Sequence, residues 1–153
     1  MVSIRFPDSL QEIGDLSLSG CTGLTYVTIP GSLEKIGINP FSGCSSLFDL
    51  RVYGDAQNFK VVDGVLFNGE MTHLIWCSPK KNGIYEVPNR VNEIDDRAFF
   101  RYILLEDVFL QCTVGNVGKA AFMKYSYLNT RKIIERLDAI LPLRAMNLDN
   151  SEE

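Results

Sequence analysis

The sequence contains one histidine and four cysteines, so it has few of the side chains that usually build catalytic or metal centres. The cysteines Cys21, Cys44, Cys77 and Cys112 form no CxxC pair and are too few for a disulfide scaffold in a chain of 153 residues. No catalytic-triad pattern surrounds His73, and no glycine-rich phosphate loop is present. We therefore expect no catalytic residue, no metal site and no cofactor, with His73 an ordinary strand residue.

A basic excess and a long apolar run are also absent. Fifteen Lys and Arg residues oppose nineteen Asp and Glu residues, which gives a net charge of −4 and a pI near 5.0. Such a chain has no excess positive charge for a phosphate backbone or an anionic lipid surface, so we expect no nucleic-acid partner. No segment approaches the roughly 18–20 apolar residues of a membrane span, and the residues after Met1 lack a signal-peptide core. We expect a soluble chain without membrane insertion, either intracellular or the mature part of an exported protein.

The sequence repeats itself. Residues 7–14 recur as 30–37, and residues 88–95 recur as 111–118, with 23 residues between the two members of each pair. Agreement extends to columns such as Cys21 with Cys44 and Phe99 with Phe122. A fixed period of this length predicts a solenoid, in which each repeat contacts its neighbours. The predicted repeats are 7–29, 30–52, 88–110 and 111–133, and an insertion covers 53–87.

Each repeat ends in a pattern of leucine, two residues, an apolar residue, one residue and another apolar residue. It is clearest at 24–29, 47–52 and 105–110. This pattern at a period of 20 to 29 residues is typical of leucine-rich repeats, whose short strands stack in parallel. Three residues after the strand, where such repeats usually carry asparagine, stand Ser9, Ser32, Asp55, Arg90 and Thr113. Apart from Arg90, these side chains are expected to hydrogen-bond the loop backbone.

The insertion has its own strand pattern. The β-branched or aromatic runs 61–67 and 73–77 are separated by 68–72, which contains Asn-Gly, a strong hairpin signal. We predict a β-hairpin, a turn at 80–83 and a strand over 84–87. The sequence leaves open whether 53–87 stacks as a further coil or projects from the solenoid.

After the last repeat, residues 131–141 place apolar side chains at spacings of one, three and four, and Pro142 ends the run. This spacing predicts an amphipathic helix. A solenoid needs its open apolar end covered, so we predict a C-terminal cap and tail over 134–153, with a partner-binding helix as the alternative. The predicted fold class is therefore a β-rich α/β solenoid of about 23-residue coils with a hairpin insertion and a capping helix.

Cys21 and Cys44 occupy one column of adjacent coils, so their Cα atoms should lie about 5 Å apart. A disulfide could span that distance. We favour a stacked pair of small buried side chains.

The outward side of the predicted strands supplies the candidate binding residues. If Leu24, Val27 and Ile29 point inward, alternate residues point outward. The outward residues are Tyr26, Thr28, Asp49, Arg51, Asp107 and Phe109, followed by Thr130 and Lys132. Aromatic, hydroxyl and charged groups of both signs suit protein recognition better than a small apolar ligand. Trp76 and Tyr85 are second candidates, although a Trp on such a hairpin more often packs.

Several motifs together resemble the BspA-like class of bacterial leucine-rich repeats. They are the Pro-x-Ser-x-x-x-Ile-Gly block at 30–37, the Ala-Phe pairs at 98–99 and 121–122, the Gly-Cys-x-x-Leu motifs at 20–24 and 43–47, and the Asp-Gly-Val-Leu-Phe stretch at 63–67. The resemblance covers residues from about 4 to 133, within a predicted repeat domain of 1–133. It implies a curved, β-rich solenoid on a secreted or surface-attached protein, with an extracellular or cell-surface location.

The functional hypothesis follows from this resemblance and from the outward strand residues. We expect a non-enzymatic protein- or glycan-binding module of a bacterial secreted or surface protein, acting in adhesion or host and microbe interaction. The alternative is a structural spacer or an intracellular protein-interaction scaffold.

Overall fold

The computed structural model describes residues 2–100, 104–123 and 133–135. Strands are its only regular elements in this part of the chain, which therefore holds no helix that could cross a membrane. The strands are β1 (Val2–Arg5), β2 (Glu12–Ile13), β3 (Leu24–Pro30), β4 (Lys35–Ile36), β5 (Asp49–Tyr53), β6 (Phe59–Val62), β7 (Val65–Asn68), β8 (His73–Cys77), β9 (Gly83–Glu86), β10 (Glu93–Ile94), β11 (Leu105–Leu110), β12 (Asn116–Val117) and β13 (Ile133–Glu135).

The chain forms a β-solenoid of about five coils, each with one strand on either side. One side, the long ladder, consists of β1, β3 and β5 and, further along, β9, β11 and β13. The other side, the short ladder, consists of β2 and β4 and then β8, β10 and β12. Neighbouring strands within each group run parallel, and Tyr26 pairs with Asp49 at the predicted 23-residue offset. The predicted solenoid of parallel stacked coils is confirmed.

Alternation along the long strands places one side chain of every two in the core. In β3, Val27 and Ile29 are completely buried, and in β11 so are Val108 and Leu110. Each such row is covered by the same row of the next coil, because the strands are in register. Stability therefore comes from contacts between neighbouring coils.

Side chains at the coil corners satisfy carbonyl groups of the preceding coil. Ser32 Oγ donates to the carbonyl of Leu10 at 2.8 Å, and Thr113 Oγ1 donates to that of Val91 at 3.0 Å. These two bonds confirm the role expected for Ser and Thr at that column. After the second coil, Asn58 makes the corresponding bond, through its Nδ2.

The insertion differs from the predicted single hairpin. Strands β6, β7 and β8 form an antiparallel meander, and the run 61–67, predicted as one strand, is divided by a tight turn. Asp63 and Gly64 both have positive φ, at 51° and 78°, as a two-residue type I′ turn requires. The Asn-Gly pair instead opens a wider loop, whose Asn68 Oδ1 accepts from the backbone N–H groups of Thr72 and His73.

The end of the insertion also stacks as a coil. Strand β8 pairs parallel with β10 in the short ladder, and β9 pairs parallel with β11 in the long ladder. Neither ladder is continuous into the second coil, because β5 and β9, like β4 and β8, belong to different sheets. The meander joins the two halves of the solenoid across this break.

The meander separates two hydrophobic cores. Leu66 and Trp76 belong to the N-terminal core, which gathers buried side chains from Ile13 onward. Val65 and Phe67, the neighbours of Leu66, belong to the C-terminal core, which extends to Phe122. Strand β7 is thus buried on both faces, which explains its unbroken apolar run.

The predicted helix is not confirmed. Its residues 133–135 form β13, which pairs parallel with β11 through Val108↔Ile133 and Phe109↔Ile134. Local spacing favoured a helix, but β11 presents an open edge whose backbone groups need partners, and β-branched isoleucines suit a strand. The remainder of 131–141, and the cap and tail after 135, lie outside the described residues. The predicted β-rich α/β fold class is therefore corrected to a β-solenoid for the described residues.

The cysteine column does not form the predicted buried pair. Cys44 is buried, and its Sγ donates to the carbonyl of Leu18, whereas Cys21 is exposed. None of the four cysteines forms a disulfide in the described structure, and Cys77 is buried whereas Cys112 is exposed. Burial raises the pKa of Cys44 to about 11. Cys21 lies at the outer end of its column, which explains why the packing expectation fails for it.

A thiol-modification experiment should distinguish the two exposed cysteines from the two buried ones. At pH 8, iodoacetamide should alkylate Cys21 and Cys112 quickly, because their thiols are exposed. Cys44 and Cys77 should react only after denaturation, since burial and the raised pKa of Cys44 keep thiolate scarce. Peptide mass spectrometry over time measures this, and rapid labelling of Cys44 in the native protein would contradict the described packing.

The meander can be tested by truncating its central side chain. Leu66 is fully buried between the coils, so Leu66→Ala should lower the free energy of unfolding by about 2–5 kcal/mol. Val62, 45% exposed in the adjacent strand, is the matched control, and Val62→Ala should change stability little. Urea denaturation followed by circular dichroism measures both, and equal losses would refute the partition of the two cores by β7.

Candidate functional site

The outer face of the long ladder carries four of the predicted binding residues side by side. Tyr26 and Thr28 of β3 stand in register with Asp49 and Arg51 of β5. Because the strands are parallel and in register, these side chains form two adjacent rows on one surface. The predicted grouping of these four residues agrees with the strand pairing.

Arg51 organises this surface. Its Nε and Nη2 donate to the two carboxylate oxygens of Asp49 at 3.1 and 2.7 Å, and its guanidinium lies over the Tyr26 ring, 5.5 Å from the centroid. The hydrogen bonds to Asp49 raise the pKa of Arg51. The two-pronged bond fixes the plane of the guanidinium, while its side chain stays 65% exposed.

A second arginine and tyrosine pair extends the surface. The guanidinium of Arg5 in β1 lies 4.7 Å from the ring centroid of Tyr53, and the single proton of the Tyr53 hydroxyl is shared between two acceptors, the Phe6 carbonyl and the Asp8 carboxylate. The Asp8 hydrogen bond raises the pKa of Tyr53. We name the five residues Arg5, Tyr26, Asp49, Arg51 and Tyr53 the Arg–Tyr patch.

Arg5 and Tyr53 are absent from the predicted set because they lie outside the recognisable strand pattern. For Arg5, the 23-residue offset could have predicted its place on this surface. The row Ser3, Ile4, Arg5 precedes Tyr26, Val27, Thr28 by 23 residues, and those residues pair in the structure.

Thr28 contributes less to this surface than its position suggests. Its Oγ1 is covered by neighbouring atoms and has no hydrogen-bond partner within residues 2–100, 104–123 and 133–135. A ligand on this face would therefore contact the residues around Thr28 before Thr28 itself.

Asp107 and Phe109 form a separate surface. They lie on β11, where they pair with Ile84 and Glu86 of β9, on the far side of the ladder break from β5. Ile84 is 63% exposed and was not among the predicted residues. The predicted face is therefore divided between two sheets. Thr130 and Lys132 lie outside the described residues.

Trp76 and Tyr85, the second candidates, are core residues. Both are only 8% exposed. Trp76 packs edge-on against Phe41 with ring centroids 5.7 Å apart, and Tyr85 packs near Phe99 at 6.1 Å. The packing interpretation of Trp76 is confirmed.

A furrow runs beside the patch, along the edge of β5 that faces the ladder break. It has a volume of about 550 Å³, and Arg51, Val52, Asp55, Lys60 and Val62 are among its lining residues. Strand β5 is the last strand of its sheet, so no ladder strand in the described structure covers this edge. Arg51 thus borders both the patch and an open strand edge.

The short ladder gathers a different set of polar groups. His73 of β8 lies beside Glu93 of β10, and its Nε2 hydrogen-bonds Asp95 Oδ1. That bond raises the pKa of His73. The ligating atoms of His73, Glu93 and Asp95 lie within 4.8 Å of one another, so these residues could hold a metal ion. The sequence did not predict this cluster. Metal sites are recognised in a sequence by ligands at short spacing, and Asp95 is 22 residues from His73.

Comparison with solved structures finds proteins of similar fold. The pneumococcal vaccine antigen PcpA is 25% identical with a TM-score of 0.72, over 87% of this chain and 39% of its own. A leucine-rich cell surface protein from Faecalibacterium prausnitzii is 28% identical with a TM-score of 0.73, over 83% of this chain and 35% of its own. A leucine-rich repeat protein from Eubacterium ventriosum, 19% identical with a TM-score of 0.62 over 76% of this chain and 38% of its own, shares the fold. This chain thus spans less than two fifths of each of these structures.

No curated protein matches the sequence. A family model does: the BspA-type leucine-rich repeat region matches residues 1–75 and 77–142 in six copies. This match covers nearly all of the chain, and it agrees with the repeat columns and with the stacked coils. The chain belongs to the BspA-type leucine-rich repeat family.

Proposed function

We propose that this chain is a non-enzymatic, polypeptide-binding module of a bacterial cell-surface protein, and that it binds through the Arg–Tyr patch. The observation that carries the proposal is the position of Arg51, which stands in the patch and borders the furrow along the open edge of β5. The cell-surface location is supported by the structural similarity to a leucine-rich cell surface protein from Faecalibacterium prausnitzii.

The chemistry of the patch suits a protein partner. Arginine and tyrosine are over-represented among the residues that dominate protein interfaces, because each combines a large apolar area with directed hydrogen bonds. Both arginines of the patch are stacked on tyrosine rings, so little side-chain freedom is lost on binding.

The strand edge favours a polypeptide over a glycan. On this side β5 has no strand partner in the described structure, so its backbone N–H and C=O groups stand at the spacing of an extended chain, and the furrow between β5 and β6 provides room beside them. The basic residues Arg51 and Lys60 outnumber the one acidic residue, Asp55, on the furrow, which favours a segment that carries carboxylates.

The test begins with binding of the purified chain to an array of purified extracellular proteins and, separately, to a glycan array. For a protein that binds, Tyr26→Ala/Arg51→Ala should weaken the affinity about tenfold or more, because it removes both members of a stacked pair. Surface plasmon resonance measures the affinity.

The matched control is Glu12→Ala/Lys35→Ala, which removes an exposed ion pair of 3.0 Å from the short ladder. It should leave binding unchanged, as should Phe109→Ala on the separate sheet. Binding confined to the glycan array would refute the polypeptide ligand. Binding to neither array would favour a structural spacer.

A further inference from the structure

The break in the short ladder forms a groove of about 500 Å³. Its ionisable lining residues are Asp15 and Lys35 from the first two coils on one side of the break, and His73, Glu93, Asp95 and Asp96 from the coils on the other side. The lysine is engaged by Glu12 at 3.0 Å. Four carboxylates therefore face one lysine and one histidine, so the groove attracts cations.

Three of these side chains converge. His73 Nε2 contacts Asp95 Oδ1 and lies 4.0 Å from Glu93 Oε1. In the described chain, neither carboxylate has a lysine or arginine partner, and Glu93 Oε1 accepts a hydrogen bond from Asn116 Nδ2 at 3.4 Å. The imidazole carries at most one positive charge, so the cluster keeps a net negative charge. All three side chains are partly exposed, which leaves the cluster open to the groove.

The repeat pattern shows that this cluster depends on the break. Asp95 occupies a column held by Gly14, Gly37 and Gly118 in the other coils. A Cβ at Gly37 would overlap Asp15 of the preceding coil, and a Cβ at Gly118 would overlap Asp96. At position 95 the preceding coil instead contributes β8, so a side chain fits there and reaches His73.

We propose that His73, Glu93 and Asp95 bind one divalent transition-metal ion of the zinc class in this groove. An imidazole nitrogen with two carboxylate oxygens suits zinc better than calcium or magnesium, which prefer oxygen ligands alone. Zinc bonds of about 2.0–2.2 Å place tetrahedral ligands roughly 3.4 Å apart, so the atoms of His73 and Glu93 need to move only slightly. The groove leaves room for a fourth ligand, which would be water or a ligand carboxylate.

The proposal can be tested by titrating the full chain with Zn²⁺ alone by isothermal calorimetry. Cys21→Ser/Cys112→Ser serves as the parent, because exposed thiols also bind zinc. One ion should bind per chain. The sequence has a single histidine, so the imidazole ¹⁵N signal reports directly on His73 and should shift in step with the heat.

Two variants remove ligands with little change to the fold. Asp95→Gly restores the residue of the other coils, and Glu93→Gln keeps the shape of the side chain. Each should weaken zinc binding by roughly 10- to 100-fold. Glu12→Gln is the matched control, because Glu12 precedes Ile13 as Glu93 precedes Ile94, and it should bind like the parent.

Circular dichroism confirms that each variant is folded before it is titrated. The proposal is overturned if the imidazole signal does not respond to Zn²⁺, or if Asp95→Gly and Glu93→Gln both bind like the parent. Tighter binding of Ca²⁺ than of Zn²⁺ would overturn the assignment to the zinc class.

Discussion

The fold depends on one constraint: no coil can bury its own apolar row, so each is covered by the next coil. Val27 and Ile29 are completely buried only because the parallel register sets β5 beside β3. The same register carries Ser32 and Thr113 to the carbonyls of the preceding coil. Any departure from the 23-residue period must therefore be absorbed by a structure that covers both adjoining coils.

The meander is that structure. Strand β7 sends Leu66 to one core and Val65 and Phe67 to the other, so the two halves of the solenoid remain joined although both ladders are interrupted. The interruption has consequences on both sides of the molecule. It leaves the edge of β5 open beside Arg51, and it opens the groove that contains His73 and Asp95. Both proposed sites thus lie where the repeat is broken.

Parts of the site could be predicted because they follow the repeat. Tyr26, Thr28, Asp49 and Arg51 were placed on one surface from alternation and offset alone. Asp107 and Phe109 obey the same alternation, but their separation from the others depends on how 53–87 folds, which a periodic pattern does not contain. The helix predicted after residue 131 fails at 133–135, because a strand edge overrides a local spacing.

The sequence by itself determined the period, the buried columns, the outward residues of the long strands and the family, since these repeat at a constant offset and each copy reinforces the others. Only the tertiary structure decided where the insertion lies. His73 pairs with Glu93 at an offset of 20, whereas Tyr85 pairs with Val108 at 23, so no single period relates this coil to the rest. The contact of His73 with Asp95 follows from that packing, because no repeat spacing relates the two residues. The open edge of β5 also follows from it, because the insertion adds no parallel strand beside β5.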